Sequence, residues 1–318
     1  MVKLSIVLPC YNEEQILCES ARALVDLLDK LINQKKITPA SHIFYIDDGS
    51  YDNTWNVINS LKIKYPKVGG IKLSRNFGHQ NAILAGFLTV DGDVVVSLDA
   101  DLQDDINTIE LMIDKHLQGS EIVYGVRDDR SLDSWFKRTS ASLFYKLMSH
   151  LGSDILYNHA DFRLLSRRAI NVLQEFHETN LFLRGVVPLI GLKSSMVHYK
   201  RNQRIAGKTK YPLKKMINFA VEGLTSFSVT PLRIITLVGF MIFLVSLVMI
   251  FYILSLRLFS NSAIPGWAST ILPIYFLGGV QILFIGILGE YLGKTYQEIK
   301  RRPRYIIEKF LNIEDESD

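Results

Sequence analysis

Cysteine is scarce: Cys10 and Cys18 are the only two in 318 residues. Two cysteines cannot build a disulfide framework or a four-ligand zinc site, and both read as reduced and incidental. The seven histidines show no H-x-x-x-H or comparable spacing, which argues against histidine metal chemistry. Neither G-x-G-x-x-G nor G-x-x-x-x-G-K-[ST] occurs, so dinucleotide and P-loop readings lose their main support. The start, Met1 to Pro9, is too short in apolar residues for a signal peptide and runs into a polar turn, so a cytoplasmic N-terminal unit is expected. Charge is absent from two apolar runs, 234–256 and 267–289. Each has the ~20 residues that cross a bilayer. Spans without internal charge read as an anchor rather than a transport pathway.

The hydrophobic fraction of 48% is not extreme, and the apolar excess falls after Ile234. The formal charge of +4 hides an uneven distribution. Lys200, Arg201, Arg204, Lys208, Lys210, Lys214 and Lys215 precede the first run; Lys294, Lys300, Arg301, Arg302, Arg304 and Lys309 follow the second. The connection between the runs carries only Arg257. The positive-inside rule then puts both flanks in the cytoplasm and the short loop outside. Most of these cations need do no more than touch anionic headgroups.

Upstream, short β-rich runs alternate with helical patterns. Strands are expected over 4–9, 42–46, 70–73, 94–98 and 122–124, and helices over 13–31, 52–61 with Asp52 as N-cap, 81–89 and 107–117. The run 94–98 shows no alternation, as a strand buried on both faces should. Alternating strands and helices imply a mostly parallel sheet covered on both sides. A basic-aromatic helix over 134–151 suits either packing on the sheet or the membrane interface; a similar one over 213–227 leads into the apolar runs and reads as interfacial. The expected division is a catalytic domain over 1–211, an amphipathic juxtamembrane helix over 212–233, a transmembrane hairpin over 234–291, and a cytoplasmic basic tail with an acidic end over 292–318. Gly278, Gly279, Gly286, Gly289 and Gly293 are spaced for close helix packing, within the chain or in a homo-oligomer.

In parallel sheets, ligands bind outside the carboxyl ends of the strands. Three acidic clusters fall at such ends: Glu13-Glu14, Asp47-Asp48 and Asp99-Ala100-Asp101. Carboxylates spaced i, i+2 after a buried strand share a direction, and Gln103 continues the alternation. These oxygen ligands suit Mg2+ or Mn2+ beside substrate phosphates. Asp47-Asp48-Gly49-Ser50 fits a turn, and its carboxylates also fit a base N–H and ribose hydroxyls. Tyr11 can stack on a base, and Arg75 brings a cation to the rim for a pyrophosphate.

The runs Leu-Pro-Cys-Tyr-Asn-Glu-Glu, Ile-Asp-Asp-Gly-Ser, Ser-Arg-Asn-Phe-Gly-His-Gln, Asp-Ala-Asp-Leu-Gln-Asp and Ala-Asp-Phe-Arg-Leu-Leu-Ser-Arg-Arg together resemble family 2 glycosyltransferases of GT-A fold. Within that family the chain is similar to polyisoprenyl-phosphate glycosyltransferases, which include dolichyl-phosphate mannose synthases and GtrB-like glucosyl enzymes. The motifs span 4–211, and the apolar hairpin fits the GtrB-like members. The resemblance implies an α/β, GT-A (Rossmann-like) domain followed by a two-helix transmembrane hairpin. It implies that Pro9, Tyr11, Glu13 and Asp48, with Asp47 beside it, cradle the nucleoside. Asp99, Asp101 and Gln103 would hold the metal; Arg127 and Arg138 would face the acceptor phosphate; Arg204 and Lys208 would belong to a basic loop closing over the phosphates.

The implied reaction moves a sugar from a nucleotide sugar to a polyisoprenyl phosphate with inversion. UDP-glucose and undecaprenyl phosphate are the expected substrates, and no nucleic acid is expected as a partner. Asp161 is read either as a group that orients the sugar or acts as base, or as a salt-bridge partner of Arg163 or Arg167. Other readings are a GDP-mannose enzyme, a soluble-acceptor transferase, and a scaffold with a vestigial pocket. A processive polysaccharide synthase would carry a Q-x-x-R-W motif, which is missing.

Overall fold

In a computed structural model of the chain, β1 (Leu4–Cys10) is buried along its whole length, and the sheet is built around it. The structure describes residues 1–127, 159–178, 183–200 and 267–313, together with scattered positions between 232 and 251, every one of them helical. The helices expected over 134–151 and 213–227 lie outside the described residues, as does much of the first apolar run.

The chain divides into two compact units. The first joins Met1–Lys146, Asp154–Tyr211 and Arg302–Asp318. Its parallel heart is β1 with β2 (His42–Asp47), β3 (Val68–Leu73) and β4 (Val94–Ser97). All four residues of β4 are buried, which explains the uninterrupted apolar run. Between these strands come α1 (Leu17–Asn33), α2 (Thr54–Lys64) and α3 (His79–Thr89). The buried residues of α1 (Leu17, Ala21, Leu24, Leu28, Leu31) recur every three or four positions and lay one apolar stripe on the sheet. On α3, a side chain at Gly86 would put its Cβ 2.2 Å from Val7 Cγ1, so the glycine lets the helix lie close against β1. The N-cap of α2 is Asn53 rather than Asp52, one residue later than expected; Asp52, just before it, accepts the Thr54 N–H on Oδ1 at 3.0 Å.

The second half is mixed. After α4 (Thr108–Leu117) and β5 (Ile122–Arg127), β6 (His159–Ser166) runs antiparallel between β4 and β5. Two short helices, α5 (Arg167–Gln174) and α6 (Leu183–Leu189), lead to β7 (Ser194–Tyr199), which pairs parallel with β5. The segment 292–318, expected as a tail, supplies the edge strand β8 (Ile307–Leu311), antiparallel to β3. The full order is β7-β5-β6-β4-β1-β2-β3-β8. Because β6 opposes both its neighbours, β5 runs with β4. One rim therefore carries the C-terminal ends of β1 to β5 and β7 and the start of β6.

The second unit, Leu147–Ser153 with Pro212–Arg301, contains α7 (Trp267–Ile299). Among the described residues this one helix is long and apolar enough to cross a membrane, over Phe276–Ile299 with mean hydropathy 1.6. The helix runs past the expected end of the second apolar run and takes in Glu290, Lys294 and Glu298.

Candidate active site

The loops after β1 and β2 are stitched together. The Asn12 N–H donates to Ser50 Oγ at 2.9 Å, and Asn12 Oδ1 accepts the Tyr51 N–H at 2.9 Å. The Glu13 N–H reaches Thr54 Oγ1 at 2.9 Å, and Glu14 accepts the Asn53 N–H at 3.0 Å. Asn12 sits at φ 57, which short polar side chains tolerate. Tyr11 and Tyr51 meet edge to face with ring centroids 6.2 Å apart, and both rings reach solvent. Pro9 is buried within β1.

The two aspartates closing β2 have different duties. Asp48 accepts the backbone N–H groups of Phe77 at 2.7 Å and Gly78 at 2.9 Å, tying the β3–α3 loop to β2. Gly49 makes this approach possible: its φ is +69, and a Cβ there would fall 2.4 Å from the Arg75 carbonyl carbon. Asp47 spends Oδ1 on the Ser50 N–H at 3.0 Å, whereas its buried Oδ2 has no hydrogen-bond partner among the described residues. Burial pushes the Asp47 carboxyl above its ordinary value, against the Ser50 bonds. Burial does the same to Asp48, opposed by the Phe77 and Gly78 N–H groups. Arg75 lies with its guanidinium 4.0 Å from the Phe77 ring centroid and donates to the Asn76 carbonyl.

Past β4, Asp99 stands part-exposed on the rim. His79, at the start of α3, places Nε2 3.5 Å from Asp99 Oδ1 and 3.5 Å from Asp161 Oδ2. Burial raises the Asp99 carboxyl; His79 pulls it down, while Asp104, Asp161 and Asp101 push it further up. That excess of negative charge fits a cation. Asp101 Oδ1 accepts the Gln103 N–H at 3.3 Å across Leu102, whose φ of 51 is uncommon for a bulky residue and turns the loop sharply. No group of three or more His, Cys, Asp or Glu side chains that could hold a metal occurs among the described residues.

Asp161 is an ion-pair hub. Its Oδ1 accepts from Arg163 at 2.6 Å and from Arg184 Nε at 3.1 Å; its Oδ2 accepts from Arg184 at 3.0 Å and Gln80 at 3.2 Å. Arg163 is fully buried and also donates to the Leu183 carbonyl. Burial would raise the Asp161 carboxyl, but the His79 hydrogen bond and the Arg184 and Arg163 charges outweigh it and hold it well below the ordinary carboxylate range. Arg167, the other partner considered from sequence, donates instead to the carbonyls of Gly92 and Val90. The His79 imidazole is held above its ordinary value: burial would lower it, but the Asp161 bond and the Asp99 charge prevail.

Arg127 closes β5 and lies against Asp104 and Tyr199. Arg138, Arg204 and Lys208 lie outside the described residues. Sequence reasoning missed His79, Gln80, Asp104, Arg184 and Tyr199 as site residues. His79-Gln80 and Asp104 sat inside quoted motifs without a role. Arg184 had a signal: it is the one charge in Leu183–Leu189.

Residues 5–173 match the family described as Glycosyl transferase family 2. The chain belongs to that family. The transferase is 50% identical over 307 residues to the uncharacterized glycosyltransferase YkoT of Bacillus subtilis (strain 168), covering 96% of this chain and 91% of the relative. It is 39% identical over 313 residues to the prophage bactoprenol glucosyl transferase homolog of Escherichia coli (strain K12), covering 97% of this chain and 99% of that one. To the bactoprenol glucosyl transferase of Shigella phage SfII it is 37% identical over 311 residues, 97% and 98% of the two chains. These matches run through the apolar C-terminal region as well as the sheet.

Proposed function

We propose that the chain is a membrane-bound, metal-dependent transferase that moves glucose from UDP-glucose to a polyisoprenyl phosphate of the undecaprenyl phosphate type, with inversion. The observation that carries this reading is the end-to-end likeness to bactoprenol glucosyl transferases, 37–39% identical over 97% of this chain. The rim geometry supports it. The unpartnered, buried Asp47 Oδ2 is an acceptor suited to the N3–H of uracil, and Tyr11 is an exposed ring for the base. Asp48, with both oxygens on backbone N–H groups, serves by shaping the pocket wall rather than by touching the nucleoside.

Asp99, Asp101 and Gln103 are the residues to hold Mg2+ or Mn2+, which supplies Lewis-acid charge to the departing diphosphate. Asp161, with a depressed pKa and both oxygens engaged, is a poor proton acceptor. Its role is to fix Arg184 and His79 on the rim beside Asp99. No strong base is needed, because a phosphate monoester with a second pKa near ~6 is already largely ionised at neutral pH. Such an anionic acceptor must approach a diphosphate. In this reading Arg127 and Arg138 offset that repulsion, and Arg204 and Lys208 supply further positive charge for the diphosphate. The apolar helix over Phe276–Ile299 and the apolar run 234–256 are, in the same reading, the membrane anchor, and both termini are cytoplasmic.

The test is transfer of radiolabel from UDP-glucose to an organic-extractable lipid in membranes supplied with undecaprenyl phosphate. A GDP-mannose arm distinguishes the mannose synthase reading: label moving only from GDP-mannose would replace this proposal.

A further inference from the structure

Arg127, Asp104 and Tyr199 form a closed triangle. Arg127 donates from Nε to Asp104 Oδ1 at 3.1 Å and from its NH2 nitrogen to Oδ1 at 2.9 Å and Oδ2 at 3.2 Å. Tyr199 donates its hydroxyl to Asp104 Oδ1 at 2.7 Å, and the Tyr199 hydroxyl oxygen accepts from Arg127 Nε at 3.1 Å. The three residues come from three places. Arg127 and Tyr199 are register partners at the ends of β5 and β7, and Asp104 follows Gln103 on the loop after β4. Asp104 is 1% exposed and Tyr199 4%, whereas 26% of the Arg127 side chain is exposed. The Tyr199 ring is held in turn by Phe162, edge to face at 5.4 Å.

We infer that Asp104, with Tyr199, is a positioning device: it fixes the Arg127 guanidinium toward the acceptor and couples that arginine to the loop of Asp99, Asp101 and Gln103. The inference rests on the acceptor role given to Arg127 above. The physical reason is rotamer freedom. A free arginine side chain carries ~2 kcal/mol of conformational entropy, and a two-pronged bond to a buried carboxylate removes it before the acceptor arrives. A carboxylate beside a phosphate-binding arginine also costs attraction, since it cancels the charge. That cost is repaid only where direction matters more than field strength. Asp104 sits three residues beyond Asp101, so a shift of the donor loop moves the arginine with it.

A double-mutant cycle tests this in the full chain in membranes, with separate KM values for UDP-glucose and undecaprenyl phosphate. Arg127→Ala and Asp104→Ala are each expected to raise the acceptor KM about tenfold, the scale of losing a hydrogen bond to a charged group. The donor KM should stay within about twofold, and the double variant should be no worse than Arg127→Ala alone. Tyr199→Phe, which deletes one hydroxyl, should give a smaller rise of the same kind, about threefold; it and Asp104→Asn serve if Asp104→Ala fails to fold. An impaired Arg127→Ala beside an unaffected Asp104→Ala and Tyr199→Phe would overturn the inference alone, as would effects that multiply in the double variant or strike both substrates equally. An unchanged acceptor KM in Arg127→Ala would instead remove the acceptor role of Arg127 and the inference with it.

Discussion

Asp161 shows how burial and charge divide the work at single residues. The carboxylate is 7% exposed and its partner Arg163 is fully buried, so neither is solvated if the other is lost. Asp161→Asn is expected to cost about 3 kcal/mol, the effect of leaving a buried charge unpaired, read as a lower thermal midpoint in detergent. The pH dependence follows from the depressed carboxyl. A group whose folded pKa lies below its unfolded one contributes stability that is complete above the ordinary aspartate value and lost as pH falls toward the folded value. The wild type should therefore lose thermal stability from about pH 5 downward, and Asp161→Asn should lose less over that interval. The proposed metal role of Asp101 calls for a different test. Asp101→Ala should fold and yet transfer glucose at least about a hundredfold more slowly, because metal assistance is worth several kcal/mol. Near wild-type turnover with metal present would remove Asp101 from the ligand set.

At the scale of elements, β8 is a strand that sequence reading did not foresee, as are β6 and β7. The three central residues of β8, Glu308 to Phe310, are all exposed, and the strand pairs with the edge that β3 offers. Phe310 stacks on Phe44 at 6.1 Å with planes 10° apart, and Lys72 reaches Glu308 at 3.3 Å. Phe310→Ala is expected to cost about 1 kcal/mol, a fall of roughly 3 °C in the thermal midpoint. Glu308→Ala, an exposed pair, should change it by less than about 1 °C. Equal effects would mean that β8 is held by charge rather than by ring packing.

The parallel half of the sheet was legible because strands buried on both faces leave unbroken apolar runs, as in Val94–Ser97. The other half was not. β6 carries Asp161 and Arg163 inside the sheet, a pair that only tertiary contact makes tolerable. β7 is exposed at alternate positions, and no element was expected there. The site divides the same way. The carboxylates at strand ends were visible from topology, while their cationic partners depend on which strand lies beside which. Arg184 and His79 meet Asp161 only because β6 starts on the same rim where α3 begins.

The chain carries both a polar rim and an apolar helix, and the likeness to bactoprenol glucosyl transferases covers both. The most direct test is the lipid dependence of UDP-glucose consumption in membranes holding the full chain. The account predicts UDP release and glucose-labelled lipid only when undecaprenyl phosphate and Mg2+ or Mn2+ are both present. Release at the same rate without the lipid phosphate, or no release with every component present, would contradict it.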